Sequence, residues 1–206
     1  LSVWNVKHSP LSRVQLERRL SLLNEQDSQL LVAIEKVLHW SKIPEVDNDS
    51  LIEEASKQLF DSLDNQFLQQ VIIWRLDIRT IMTALRRRKL GVLVTEPDMY
   101  WGYSSLVSSI KRNWQLEDFS LGYRYPWVKE ANLLLTTSQC VALEKLLLNL
   151  SWQHYEKIGN GHYFDFEAVI LYVLRWDIIN RWSQNDEQSA MQHFEALVEA
   201  GLGDTF

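Results

Sequence analysis

Val71-Ile72-Ile73-Trp74-Arg75-Leu76-Asp77-Ile78-Arg79-Thr80-Ile81-Met82 is the stretch whose reading decides the fold. With its flanks, Phe67, Val71, Trp74, Ile78, Ile81 and Leu85 recur at steps of four and three, the spacing of one helix face. Leu68, Ile72, Leu76 and Met82 widen that stripe, so the helix buries more than a narrow seam. Asp64 reads as its opening. Arg86-Arg87-Arg88-Lys89 close it before Gly91, complementing the negative end of the helix dipole.

An aspartate in the middle of such a helix is costly to bury unless something pairs with it. The tetrad Arg75-Leu76-Asp77-Ile78 returns 100 positions later as Arg175-Trp176-Asp177-Ile178, inside the apolar stretch Ala168–Trp182. Duplication of a helical hairpin and coincidence are both open readings of a four-residue match. Asp177 can reach Arg181 at i+4 in the favourable acid-first order. Asp77 has Ile81 at that position, so its expected partner is a basic group on another helix or another chain.

Outward from there, Ser9-Pro10 reads as a helix entry with Ser9 as cap, and that helix runs to Leu23. Asp27 caps a second through Leu38. Pro44 marks Ile43–Asp49 as a loop, and Asp49 or Ser50 starts a third helix over Leu51–Leu63. Beyond Gly91 the pattern is less regular, with a helix within Met99–Trp114, a loop over Glu117–Tyr125 and a short helix over Trp127–Leu135. Thr137 or Ser138 caps a long helix to Ile158, with Leu143, Leu146, Leu147 and Leu150 along one face and Gly159 at its end. Phe164–Gln184 is the second strongly apolar helix, and Asn185 caps a last one to Ala200. Only Trp4-Asn5-Val6 and Gly91-Val92-Leu93-Val94 resemble strand. The expected class is all-α: antiparallel helical hairpins in two pseudo-repeats, with a short N-terminal strand as the one β element. The expected organisation is an N-terminal helical half (1–91), an irregular joint (92–126) and a C-terminal helical half (127–206). One continuous compact domain is the alternative.

Bulk composition sets limits on function. The 206 residues, 46% hydrophobic, suffice for one sizeable core or two small helical ones. Seven Gly and four Pro leave few tight turns, which favours long helices with short connections. Nine Trp are many; most are expected to fill gaps between helices and two or three to face a partner. The net charge of −6 lies mostly in the second half, where residues 101–206 carry 8 basic and 13 acidic side chains. That balance disfavours nucleic acid, whose binding depends on phosphate neutralisation. The single Cys140 excludes an intramolecular disulfide framework and a multi-cysteine zinc site. No signal-peptide pattern is visible, and the longest apolar run, Ala168–Leu174, is too short to span a bilayer. Leu1 in place of Met points to a missing N-terminal segment.

Chemistry-bearing patterns are sparse. No two of His8, His39, His154, His162 and His193 share an i,i+4 face, the usual helical metal-ligand spacing. His162 lies near Asp165 and Glu167, where a polar turn is the simpler reading. Gly159-Asn160-Gly161 lacks the third glycine and preceding strand of a dinucleotide site. No phosphate loop and no Gly-x-Ser-x-Gly elbow occur. Cys140 has no nearby His or Lys and reads as a core thiol. The Arg86–Lys89 run could grip an acidic partner or anionic headgroups, although dipole complementarity alone accounts for it. The expectation is a non-enzyme with no metal, no cofactor and no catalytic residue.

The segment Trp74-Arg75-Leu76-Asp77-Ile78-Arg79-Thr80-Ile81-Met82-Thr83-Ala84-Leu85-Arg86-Arg87-Arg88-Lys89-Leu90-Gly91 resembles a signature of the C-type coupling component of V/A-type rotary ATPases, termed d in eukaryotes. Phe166–Asn180 is similar to that family's last hairpin. Ser9-Pro10-Leu11-Ser12 with Asn24-Glu25-Gln26-Asp27 is similar to short bacterial proteins, encoded with V-type ATPases, that stand in for this component. Family members are longer and have three pseudo-repeats around a funnel; two are legible here. The resemblance implies a non-catalytic coupling or assembly piece whose partners are the central shaft and the membrane rotor ring. It implies a cytoplasmic protein peripheral to the inner face of the plasma membrane, not inserted in it. Asp77, Arg75, Arg79, Arg86, Arg87, Arg88 and Lys89 would brace or border the shaft-holding cavity, with Asp177, Arg175 and Arg181 in the second repeat. The competing reading is a helical adaptor or regulator unrelated to ATPases, acting through a Trp-rich surface.

Overall fold

A computed structural model describes residues 11–38, 49–92 and 104–183. These residues form helices and turns with no strand among them, so the fold is all-α. The helices are α1 (Arg13–Leu20), α2 (Glu25–Leu38), α3 (Asp49–Ser62), α4 (Gln66–Lys89), α5 (Val107–Arg112), α6 (Trp127–Thr136) and α7 (Cys140–Ile158), then α8 (residues 166–183). The strand expected at Trp4-Asn5-Val6, the loop around Pro44 and the last helix from Asn185 lie outside the described residues.

Local hydrogen bonding decides where the helices begin, and it shifts several expected boundaries. Ser9-Pro10 lies outside the described residues, and the cap of α1 is Ser12. Its hydroxyl accepts from the Gln15 amide at 3.3 Å, while Gln15 Oε1 accepts from the Ser12 amide at 3.0 Å. This reciprocal box satisfies two otherwise orphaned donors. The helix stops at Leu20, short of the expected Leu23. Asn24, not Asp27, caps α2: its Oδ1 accepts from the Asp27 amide at 2.8 Å. Asn65, not Asp64, caps α4 through the Leu68 amide at 3.0 Å. At the far end Val92 N–H reaches Arg87 O and Gly91 N–H reaches Arg88 O, the paired bonds of a Schellman close. Gly91 carries φ +74, a conformation that disfavours any residue with a Cβ.

Contacts divide the chain into two compact units, Leu1–Leu22 with Leu148–Phe206, and Leu23–Leu147. Among the described residues α1, the later part of α7 and α8 fall in one unit, and the described part of 92–126 falls in the other. Its buried side chains, including Leu106, Ile110, Trp114, Phe119, Leu121 and Tyr125, make it core material.

In the unit Leu23–Leu147, α4 is the centre. It packs against α2, α5 and α6, and α2 packs on α3. Its 24 residues span about 36 Å at 1.5 Å per residue. Leu68, Val71, Ile72, Leu76, Ile78, Ile81, Met82, Ala84 and Leu85 are all buried. A helix apolar around so much of its circumference needs neighbours on several sides, as the width of its stripe implies.

In the other unit, α8 supplies the buried Ile170, Leu171, Val173, Leu174, Trp176 and Ile178, α1 supplies Leu16, and α7 supplies Leu148 and Tyr155. Trp176 Nε1–H donates to Leu11 O at 2.9 Å, and the Arg13 guanidinium lies 5.7 Å from its ring centroid. Gly159 ends α7 as expected. A Cβ there would stand 2.9 Å from Tyr155 O and 3.3 Å from Leu171 Cδ1, so the close approach of this turn to α8 requires glycine.

One expectation about an individual residue changes. Cys140 is exposed, not a core thiol; as the first residue of α7 it faces solvent, and the apolar face begins at Leu143. Among the described tryptophans none is exposed: Trp114, Trp127 and Trp176 are buried, and Trp74, Trp152 and Trp182 are half-buried. Among the described residues no helix is long and apolar enough to cross a membrane.

Candidate functional site

Asp77 is the one carboxylate among the described residues that lies in the core, 2% exposed. Tyr125 Oη–H donates to its Oδ2 at 2.6 Å, and Ser104 Oγ–H donates to its Oδ1 at 2.6 Å. The Leu106 amide donates in turn to Ser104 Oγ at 3.0 Å, which fixes that hydroxyl. Both bonds to the carboxyl are at the short end for O–H donors, the range of charge-assisted hydrogen bonds. The expected basic partner is replaced by two hydroxyls from the segment after α4. Their O–H groups satisfy a buried carboxyl without bringing a second charge into the core, which removes one large desolvation cost. Burial raises the Tyr125 pKa above its ordinary value and the hydrogen bond to Asp77 raises it further, so the phenol remains a donor.

Eleven residues along α4, Arg88 does comparable work at the surface end. Its Nη1 donates to Trp114 O at 3.2 Å and Leu116 O at 2.6 Å. Its Nη2 donates to Glu117 O at 2.8 Å and Asn132 Oδ1 at 3.0 Å. The guanidinium also sits 4.3 Å from the ring centroid of Phe119, which stacks on Trp114 with centroids 5.4 Å apart. Burial lowers the Arg88 pKa, and Glu117 and Asp118 oppose that. Phe119 and Ser120 have φ 54 and 59, a left-handed pair costly for a bulky residue. The turn persists because Phe119 is buried and Arg88 holds the carbonyls before it.

The remaining basic residues divide. Lys89 Nζ donates to Leu135 O at 2.6 Å and Ser138 Oγ at 3.2 Å, so it ties α4 to the end of α6. Arg86 is exposed, and Arg87, Arg75 and Arg79 are half-buried. On α8, Asp177, Arg175 and Arg181 are half-buried, with Arg175 Nε donating to Leu171 O at 3.3 Å. The Arg86–Lys89 run is thus not one uniform patch. Half of it locks the fold, which periodicity alone does not reveal because the acceptors lie 26 to 49 residues away.

The two tetrads share their helix register. Asn65 caps α4 through the Leu68 amide, and Asp165 caps α8 through the Ala168 amide at 2.9 Å. The helices begin at 66 and 166, so Asp77 and Asp177 are each the twelfth helical residue. Burial agrees at 71 and 171, 76 and 176, and 78 and 178, and differs at the aspartates themselves.

His154 on α7 is half-buried beside Tyr155. Burial, helped by Lys157, pushes its pKa down to about 4, so the folded protein holds it neutral. The ordinary imidazole value is about 6.5. Stability from this residue is full above that pH and is lost as pH falls toward 4. His154→Gln is expected to flatten the dependence of the urea midpoint on pH between about 6.5 and 4; an unchanged slope would show that His154 is not the group responsible.

No curated protein and no solved structure matches this chain. A family model does match, over residues 45–201, which takes in α3 to α8 with both the Asp77 node and the Arg88 clamp. The chain belongs to the family described as protein of unknown function (DUF2764).

Proposed function

We propose that this protein is a non-catalytic coupling or assembly component of a V/A-type rotary ATPase, of the C-type (d-type) kind, working between the central shaft and the membrane rotor ring. The observation that carries the reading is the common register of α4 and α8. Each follows a preceding helix through a short turn, is capped by an Asx side chain, and carries an aspartate as its twelfth residue within an apolar stretch. Repeated hairpins with an acid in an apolar helix are what the resemblance to that ATPase component leads one to look for. On this reading Asp77 braces α4 against the segment that follows it and does not touch the shaft, because it is buried and occupied by Tyr125 and Ser104. Arg86, exposed at the end of α4, is the basic residue of that run best placed to meet an acidic partner. A Trp-rich docking surface, on which the adaptor reading depends, has no exposed tryptophan among the described residues to support it.

The test is recovery of the tagged chain from its native cell with identification of co-purifying proteins. Shaft and ring components of the ATPase are expected. Arg86→Glu should reduce their recovery, and its deficit relative to wild type should narrow as salt rises, because exposed charge contacts are screened. Recovery of unrelated proteins without ATPase components, at low and moderate salt alike, sinks the proposal.

A further inference from the structure

We propose that His162, Asp165 and Glu167 form a binding site for a divalent transition-metal ion at the turn between α7 and α8. One ligand atom from each side chain lies within 4.8 Å of the other two. Zinc–nitrogen and zinc–oxygen bonds of about 2.0–2.2 Å place donors around one ion roughly 3–4 Å apart. Small side-chain rotations of these accessible residues, which part His162 Nδ1 and Asp165 Oδ2 from their 2.6 Å hydrogen bond, therefore admit the ion. An imidazole with two carboxylates suits zinc, nickel, cobalt or manganese; calcium prefers an all-oxygen shell.

The turn presents the donors in a defined arrangement. His162 N–H bonds to Gly159 O, closing a turn in which Gly161 at φ +102 reverses the chain. Asp165 Oδ1 is held by the Ala168 amide at 2.9 Å, which leaves Oδ2 facing His162 Nδ1 at 2.6 Å. Glu167 stands in the first turn of α8, so its carboxylate shares the rigid helix end. The positive end of the helix dipole, about half a charge, opposes a cation here. Two carboxylates outweigh it. Three protein ligands leave at least one coordination position for water. This inference stands apart from the ATPase reading and shares with it only Asp165, the cap of α8.

The experiment is zinc titration of the full chain, with any purification tag removed, by calorimetry, together with melting temperatures with and without zinc. One saturable site is expected, with a rise in Tm on adding zinc. His162→Ala should weaken binding by about tenfold or more, at least the cost usual for losing a supporting partner. Asp165→Asn separates ligand from cap, since asparagine caps a helix as well as aspartate does. It should keep the metal-free Tm and lose the zinc response. Absence of saturable binding up to about a hundred-fold molar excess, or binding that both variants leave unchanged, overturns the proposal and leaves the cluster as a helix cap alone.

Discussion

Asp77→Ala is expected to lower the stability of the protein by about 3–5 kcal/mol, because it strands the buried Tyr125 hydroxyl at roughly 1–3 kcal/mol, takes the acceptor from the half-buried Ser104 and opens space in the core. That is a large share of the roughly 5–15 kcal/mol available to a typical domain. The measurement is the urea midpoint at constant m-value. Tyr125→Phe removes one donor and leaves Oδ2 without it, at a cost of about 1.5–3 kcal/mol for a bond to a charged group. The double variant should cost clearly less than the two single ones added, since each already forfeits the same bond. Asp77→Asn should fall between wild type and Asp77→Ala, because its amide oxygen still accepts from one hydroxyl. A midpoint for Asp77→Ala no lower than that of Asp61→Ala, which alters an exposed carboxylate of α3, would remove the node from the account of the fold.

This same node shows where sequence reasoning reaches and where it stops. That Asp77 is shielded follows from Leu76, Ile78 and Ile81 around it, since helix periodicity places those side chains without knowledge of the partner. The partner's chemistry does not follow. Tyr125 and Ser104 are 48 and 27 residues away, and no local spacing links them to α4. A salt bridge is the default expectation because buried charge usually finds opposite charge; two hydroxyls achieve satisfaction at lower desolvation cost. The shifted caps have a different origin. Ser9, Asp27 and Asp64 are all competent caps by residue type, and selection among neighbouring Asx and Ser residues depends on which backbone amide each side chain meets. Cys140 departs from expectation for a third reason: absence of activating neighbours says a thiol is not reactive, and says nothing about whether it is buried. The cluster at His162 was legible as residue types. Glu167 reaching the same point as His162 and Asp165 needed the turn through Gly161 and the start of α8 at residue 166.

Arg88 is the second position at which a single change should matter greatly, and it bears on how the functional test is designed. Arg88→Ala removes donors from three main-chain carbonyls and Asn132, and uncovers the Phe119 ring. Bonds to a charged donor are worth about 1.5–3 kcal/mol each when buried. This side chain is only half-buried and its bonds are partly replaced by water, so the expected loss is about 2–4 kcal/mol for the set. Arg88→Lys should recover less than half of it, because an ammonium is a point donor and lacks the planar fork that spans neighbouring carbonyls. The left-handed pair at Phe119 and Ser120 gives a local readout. Once the clamp is gone, amide hydrogens over 114–121 should exchange faster than those in the middle of α4, a difference uniform destabilisation does not produce. Reversing charge across Arg86, Arg87 and Arg88 together would therefore release the protein from any complex by loosening its fold. Arg86→Glu alone should change partner recovery while leaving the urea midpoint within about 0.5 kcal/mol of wild type, and Arg88→Glu should change both. If Arg88→Glu keeps the wild-type midpoint and exchange pattern yet loses the partner, Arg88 belongs to the interface and its role as a clamp is wrong.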